Sequence, residues 1–380
     1  MKKSLLMIPG PVEVDSNVLE VLGRPPLGHT SSEFIETLGA CLEGLLTVFA
    51  APDGLPVVVA GSGTLAMEMA LSNVVERGDR AVVVETGLFS QRMADILKRC
   101  DAEIEVVRAE VGQVPELKMV EEALKKGAKV LTITHVDTST GVLVPVKEFA
   151  QLAHRFDSLV IVDGECAVGG QEFRQAEWDV DICLTGSQKA LAVPPGLALV
   201  IARPRALEMF RRRKTPVSSY YIDWTFWLPI MQSYLDRKPA YFSTPPVNLV
   251  AALGESVHQI IAEGMEARWS RHQKLSDAFK AGITALGLKQ IPAKKENQAA
   301  TLTTIFYPED VDASLVKRIS KLGVEVAGGL YPTIKDRYFR VGHMGSTGIG
   351  EILQTLSAIE KALSITTGAG VGAANRVWLR

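Results

Sequence analysis

The run Thr185-Gly186-Ser187-Gln188-Lys189-Ala190 closes an apolar stretch, Val180–Leu184, and precedes the apolar, proline-rich segment Leu191–Pro195. A lysine between two such segments is partly desolvated, which disfavours an ammonium and frees the amine as a nucleophile. Such an amine condenses with an aldehyde, and pyridoxal phosphate (PLP) is an aldehyde cofactor that exploits it. Taken alone, Lys189 also fits a solvated lysine at a strand end. Its neighbours in the pattern carry the argument further. Ile161-Val162-Asp163-Gly164 sets a carboxylate at the end of another apolar run, 26 residues before the lysine (189 − 163). That is one strand–helix–strand step, so both side chains project into one crevice. PLP needs such an acid, because a carboxylate on the pyridine nitrogen keeps it protonated and the ring an electron sink. A helix N-cap is the alternative role for Asp163.

An earlier apolar run leads into Gly61-Ser62-Gly63-Thr64 and then directly into a helical pattern. Backbone N–H groups and the helix dipole make this turn an anion site, with Ser62 and Thr64 adding hydroxyls. The same residues read as G-x-G-x-x-A over Gly61–Ala66, and the next strand ends in Glu85. That is the dinucleotide-binding fingerprint with its ribose-binding acid, so an NAD-dependent dehydrogenase is a rival on these residues. It leaves Asp163 and Lys189 without roles. Another strand end, Thr134–Gly141, offers hydroxyls and Asp137 to a ring hydroxyl or a substrate. Phe89 follows the Glu85 strand, where an aromatic can stack on a flat ring or simply pack in the core. His135 reads as structural.

The elements that must hold these residues alternate in type. Apolar, β-branched runs occur at Pro56–Ala60, Ala81–Val84, Ile104–Val107, Val130–Thr134, Leu159–Asp163, Ile182–Thr185 and Leu197–Ile201. Residues 32–50, Leu65–Val75, Arg92–Lys98, Glu116–Lys125 and Val146–Arg155 have helical spacing. The expectation is an α/β fold: a mostly parallel sheet covered by helices on both faces, with ligands beyond the carboxyl ends of the strands. Residues 1–30 read as an irregular arm, 31–249 as a large domain, 250–365 as a smaller C-terminal α/β domain and 366–380 as a loose Gly/Ala-rich tail. The segment Pro204–Val247 reads as irregular.

Composition narrows the class. Lys+Arg 41 against Asp+Glu 43 gives a net charge of −2, no footprint for nucleic acid or an anionic membrane. The four cysteines are scattered, which spells neither a metal site nor a disulfide scaffold and suits a reducing, cytoplasmic compartment. The short apolar run before Pro9 is too short for a signal peptide, and no later run is long enough to span a bilayer.

Taken in order, Gly61-Ser62-Gly63-Thr64, Thr138-Ser139-Thr140-Gly141, Val162-Asp163, Gly186-Ser187-Gln188-Lys189-Ala190 and Pro194-Pro195-Gly196 resemble the class V aminotransferases. The resemblance is to the serine–pyruvate and alanine–glyoxylate branch and runs from Pro9-Gly10-Pro11 to Phe339-Arg340-Val341-Gly342. It implies the type I PLP-enzyme fold and a homodimer with active sites at the subunit boundary. On it, Lys189 would carry PLP as a Schiff base and shuttle the proton, and Asp163 would pair with the pyridine nitrogen. Ser62, Gly63, Thr64 and Gln188 would hold the phosphate, Thr138 would contact the ring hydroxyl, and Phe89 would stack on the ring. Tyr241 and Thr244 would reach the phosphate of the partner subunit. Arg340 would clamp the substrate carboxylate; without the family it reads as an ion-pair partner.

The implied reaction moves an amino group from alanine or serine to glyoxylate or pyruvate by a ping-pong route. Aminophosphonate or ureidoglycine transamination, a PLP lyase or desulfurase, and a non-catalytic binding protein are the alternatives. One residue departs from the family pattern. Two positions after Asp163, where a small or apolar residue commonly lies beneath the ring, this chain has Glu165. Either its side chain points away, or the local packing differs.

Overall fold

Strands buried on both faces must be nearly continuous in apolar residues, and the centre of this molecule is built that way. In the computed structural model, which describes residues 4–380, the arm carries β1 (Leu5–Leu6) and α1 (Ser16–Leu22), followed by α2 (Ser32–Val48). A seven-stranded sheet then forms from β2 (Leu55–Ala60), β3 (Arg80–Glu85), β4 (Glu103–Arg108), β5 (Val130–Thr134), β6 (Leu159–Asp163), β7 (Ile182–Gly186) and β8 (Leu197–Ala202). Every residue of β5, β6, β7 and β8 is buried. Helices α3 (Gly63–Ser72), α4 (Leu88–Arg99), α5 (Leu117–Leu124) and α6 (Val146–His154) connect and cover the strands. The runs read from the sequence fall on these elements to within a few residues.

The strand order is β2-β8-β7-β6-β5-β3-β4. The pairings from β7 through to β4 are parallel, while β8 runs antiparallel to both β7 and β2. Two reversals bring β2 back into line with the rest. The carboxyl ends of β2, β3, β5, β6 and β7 therefore share one edge of the sheet. This layout removes the dinucleotide rival. Its fingerprint needs the glycine-rich turn inside a β–α–β unit whose strands pair side by side. Here β2 and β3 lie on opposite sides of the β8-β7-β6-β5 block.

Beyond β8 come α7 (Pro204–Arg211) and α8 (Trp224–Leu235), so the region read as irregular holds two helices. Next are α9 (Val247–Glu263) and α10 (Met265–Ala285), separated by Gly264, whose φ of +83° breaks the helix. The chain ends with β9 (Leu302–Phe306), α11 (Ser314–Lys321), β10 (Val324–Glu325), β11 (Ala327–Gly328), β12 (Tyr338–Gly342), α12 (Ile349–Ala362) and α13 (Ala369–Trp378). One apolar cluster gathers the large sheet with α2, α8 and α9, including Val250, Leu253, Val257 and Ile260. A second gathers Leu275, Phe279, Ile305, Phe339, Leu356 and Ala374. By its packing α9 belongs with the large sheet, although the sequence division falls near its start.

Two local expectations are corrected. The Gly/Ala-rich tail is not loose, because α13 lies against α10 and α12. A Cβ at Gly282 would sit 2.9 Å from the Gly370 carbonyl, so small residues let the two helices approach. Glu360 accepts the Gly370 N–H at 2.8 Å and ties α13 to α12. The arm is not irregular throughout either: α1 is capped by Asp15, and β1 pairs in parallel with β10.

Candidate active site

Five strand ends meet on the shared edge, and each delivers a residue singled out from the sequence. Asp163 closes β6 and is 1% exposed. Its Oδ1 accepts the Glu165 N–H at 2.9 Å, whereas Oδ2 is buried without a hydrogen-bond partner. An unpaired buried carboxylate oxygen is costly. Burial, reinforced by the charge of Glu165 and opposed by Lys189, pushes the Asp163 carboxyl up to about 8. A cationic ring N–H is the kind of donor Oδ2 lacks, so the site fits PLP at this end.

Lys189 follows β7 by three residues and is 7% exposed. Its ammonium donates to the Pro9 carbonyl on the N-terminal arm. Gly10 at φ +95° lets the arm pass this closely, because a Cβ there would meet Lys189 Cδ at 2.5 Å and Nζ at 2.9 Å. The sequence grouped Pro9-Gly10-Pro11 with the family pattern but gave these residues no role. Contact with the lysine is that role.

The turn after β2 opens α3, and Ser62 stands at its N-cap without a side-chain cap bond, leaving its hydroxyl exposed. Thr64 accepts from Arg92 Nη1 at 2.9 Å, and the Arg92 guanidinium lies 4.8 Å from the Phe89 ring centroid. Arg92 is a residue that sequence reading missed. Its signal was the i,i+3 spacing from Phe89 on α4. Gln188 turns its amide toward the same place and donates to Glu165 Oε1 at 2.6 Å.

Thr138 is buried, and its carbonyl accepts from Arg340 Nη1 at 3.3 Å. Arg340 Nε donates to the Gly328 carbonyl at 2.8 Å. No carboxylate is paired with Arg340 among the described residues, so the ion-pair role read without the family is not realised; burial pulls its pKa down. Asp137 is engaged differently from the sequence expectation. Its Oδ2 accepts from the Phe89 and Ser90 N–H groups, each at 3.1 Å, and its Oδ1 from the Ser139 hydroxyl at 2.6 Å. It fastens the β3 and β5 loops together and has no oxygen left for a ligand. His135 is structural: it packs against Phe173 and Trp178, and burial pushes it down to about 3. Glu85 is likewise engaged, by Gln91 at 3.1 Å and Arg108 at 3.3 Å.

Tyr241 and Thr244 are both exposed, Tyr241 at 62% and beside His29. No hydrogen bond links either to Lys189, Asp163 or the Gly61–Thr64 turn. The remaining departure is Glu165. Its carboxylate lies against Gly63, on the anion turn itself.

A family model, aminotransferase class-V, matches residues 21–333. The chain is 37% identical to an uncharacterized aminotransferase of Methanocaldococcus jannaschii, over 95% of this chain and 93% of that one. It is 36% identical to alanine–glyoxylate aminotransferase 1 of Saccharomyces cerevisiae, over 93% and 95%. The crystal structure of ureidoglycine–glyoxylate aminotransferase from Bacillus subtilis superposes with a TM-score of 0.93 at 27% identity, covering 100% of this chain and 99% of that one. The chain belongs to the class V aminotransferases, and it is a PLP-dependent transaminase acting on amino and 2-oxo acids.

Proposed function

We propose that this enzyme transfers the amino group of alanine or serine to glyoxylate or pyruvate. The observation that carries the reading is the meeting of Lys189, Asp163 with its unpartnered Oδ2, and Arg340 without an acid, around one strand edge. The likeness to alanine–glyoxylate aminotransferase supports the choice of substrates.

Each residue has a task. Asp163 Oδ2 would accept the ring N–H of PLP, and the hydroxyls of Ser62 and Thr64, the Gly63 N–H and Gln188 would hold its phosphate. Thr138 would contact the ring hydroxyl, and Phe89 would pack on the ring. When bound, PLP supplies an aldehyde that Lys189 holds covalently and an electron sink for the pair released at the substrate Cα. Lys189 Nζ takes the α-proton and returns it, a transfer it makes only after leaving the Pro9 carbonyl. Arg340 binds the substrate carboxylate through its planar fork, and one such clamp serves both half-reactions. Tyr241 and Thr244, exposed on their own subunit, reach the phosphate of a second copy in a homodimer.

A desulfurase needs an accessible thiol of low proton affinity. Cys41, Cys166 and Cys183 are buried, Cys100 is half-buried, and burial pushes all four thiols up. That disfavours the desulfurase alternative. The test is the visible absorption spectrum of the purified protein before and after L-alanine or L-serine. A yellow protein whose spectrum changes with either donor is expected. A colourless protein that takes up no PLP would end the reading, and a yellow protein indifferent to every amino acid would point to binding without turnover.

A further inference from the structure

Glu165 is 7% exposed, and its carboxylate lies against Gly63 at the start of α3. A Cβ built on Gly63, the first residue of α3, would collide with Oε1 and the carboxyl carbon of Glu165 and come within 2.7 Å of Oε2. A Cβ built on Gly186, at the end of β7, would lie 2.9 and 3.0 Å from the same two oxygens. Gln188 Nε2 donates to Oε1 at 2.6 Å, and the Thr185 hydroxyl reaches Oε2 at 3.4 Å. No cation is paired with this carboxylate among the described residues. Gln188 is thus engaged on an internal anion, and its own Oε1 is buried without a partner.

We propose that Glu165 sets how readily this site takes a phosphorylated ring: its carboxylate competes with the phosphate group for the Gly63–Gln188 end of the crevice. This rests on the transaminase reading above and deepens it. Two anions cannot share that turn without mutual repulsion, since like charges a few ångströms apart in a partly buried site are strongly unfavourable. Binding a phosphorylated ring therefore requires the carboxylate to leave Gly63 and release Gln188. A ring without the phosphate brings no second anion to Gly63 and Gln188. Glu165 is accordingly a specificity residue toward the cofactor, acting through occupancy of the phosphate position.

The experiment compares dissociation constants of two probes, pyridoxal 5′-phosphate and pyridoxal, on the full-length cofactor-stripped protein, read by absorbance and by quenching of tryptophan fluorescence. Glu165→Gln keeps the shape and removes the charge. It should tighten pyridoxal 5′-phosphate about tenfold or more beyond any change it makes in pyridoxal, whose ring also meets Asp163 beside Glu165. Glu165→Asp, which keeps the charge and shortens the reach, should fall between the two, and it carries the comparison if the glutamine variant fails to fold. Equal affinity of wild type and variants for pyridoxal 5′-phosphate, or a weaker variant, overturns the proposal and leaves the transaminase reading standing. Failure of wild type and variants alike to bind either ring overturns the transaminase reading and the proposal with it.

Discussion

The two ends of the crevice are built on opposite electrostatic plans. At the substrate end, Arg340 is a largely buried cation held by two carbonyls and by no acid. At the phosphate end, Glu165 is a buried acid held by an amide and a hydroxyl and, among the described residues, by no cation. The first end is ready for an anion because its charge is left uncompensated. The second has already admitted an anion from its own chain. Readiness to bind is thus not uniform along one site: the cost of desolvating a charge is carried in advance at one end and must be met during binding at the other.

Removing the group between the two ends gives the largest expected effect. Lys189→Ala should cut turnover about a thousandfold or more, with cofactor retained noncovalently and no longer trapped by borohydride reduction. Robust activity in that variant would remove the centre from which both ends are defined. At the substrate end, Arg340→Lys loses the planar fork and should raise KM for the amino donor about ten- to a hundredfold while leaving PLP affinity nearly constant. An unchanged KM would place the carboxylate clamp elsewhere and dissolve the contrast.

A smaller effect tests the floor between the ends. Asp163 is raised from 3.8 to about 8 by burial and then by Glu165, so the folded cofactor-free protein holds this proton more tightly than the unfolded chain does. The stability so contributed is complete below the unfolded value and is lost as pH rises toward 8. The melting temperature of the stripped wild type should therefore fall across that window more steeply than that of Asp163→Asn, which a pH series of thermal melts would reveal. Parallel curves would show that the carboxyl is not held as its surroundings indicate. Smallest of all, Glu165→Gln removes the second-largest of the raising causes and should move the midpoint of that fall downward by less than about one pH unit. No movement would mean that the two acids do not sense each other.

The sheet was legible because its strands are short, β-branched and buried on both faces, so each appears as an apolar run ending in a polar or glycine-rich turn. Asp163 and Lys189 stood out for the same reason, being charged residues at the ends of such runs. The small-residue helix α13 was not legible. Glycine and alanine signal looseness in isolation, but they permit close helix contact when Gly282 and Gly370 face each other. The arm's contact with Lys189 was equally hidden, since no local pattern joins Pro9 to a residue so distant in the chain. The role of Asp137 was missed because a carboxylate in a hydroxyl-rich turn looks the same whether it faces a ligand or ties two loops together. Glu165 was recognised as a departure, yet only the packing of Gly63 and Gly186 around it reveals where it goes.

The arm has a mechanical consequence. Met7 donates its N–H to Glu325 at 2.8 Å and accepts from Gly342 at 2.8 Å, while two residues further on Pro9 holds the amine of Lys189. The arm is thus stitched to β10 and β12 and ends on the nucleophile. A rigid displacement of that C-terminal layer would pull on the lysine through a leash of three residues. Arg340 also lies on β12, so the carbonyl that holds the amine and the guanidinium are carried by one connected layer.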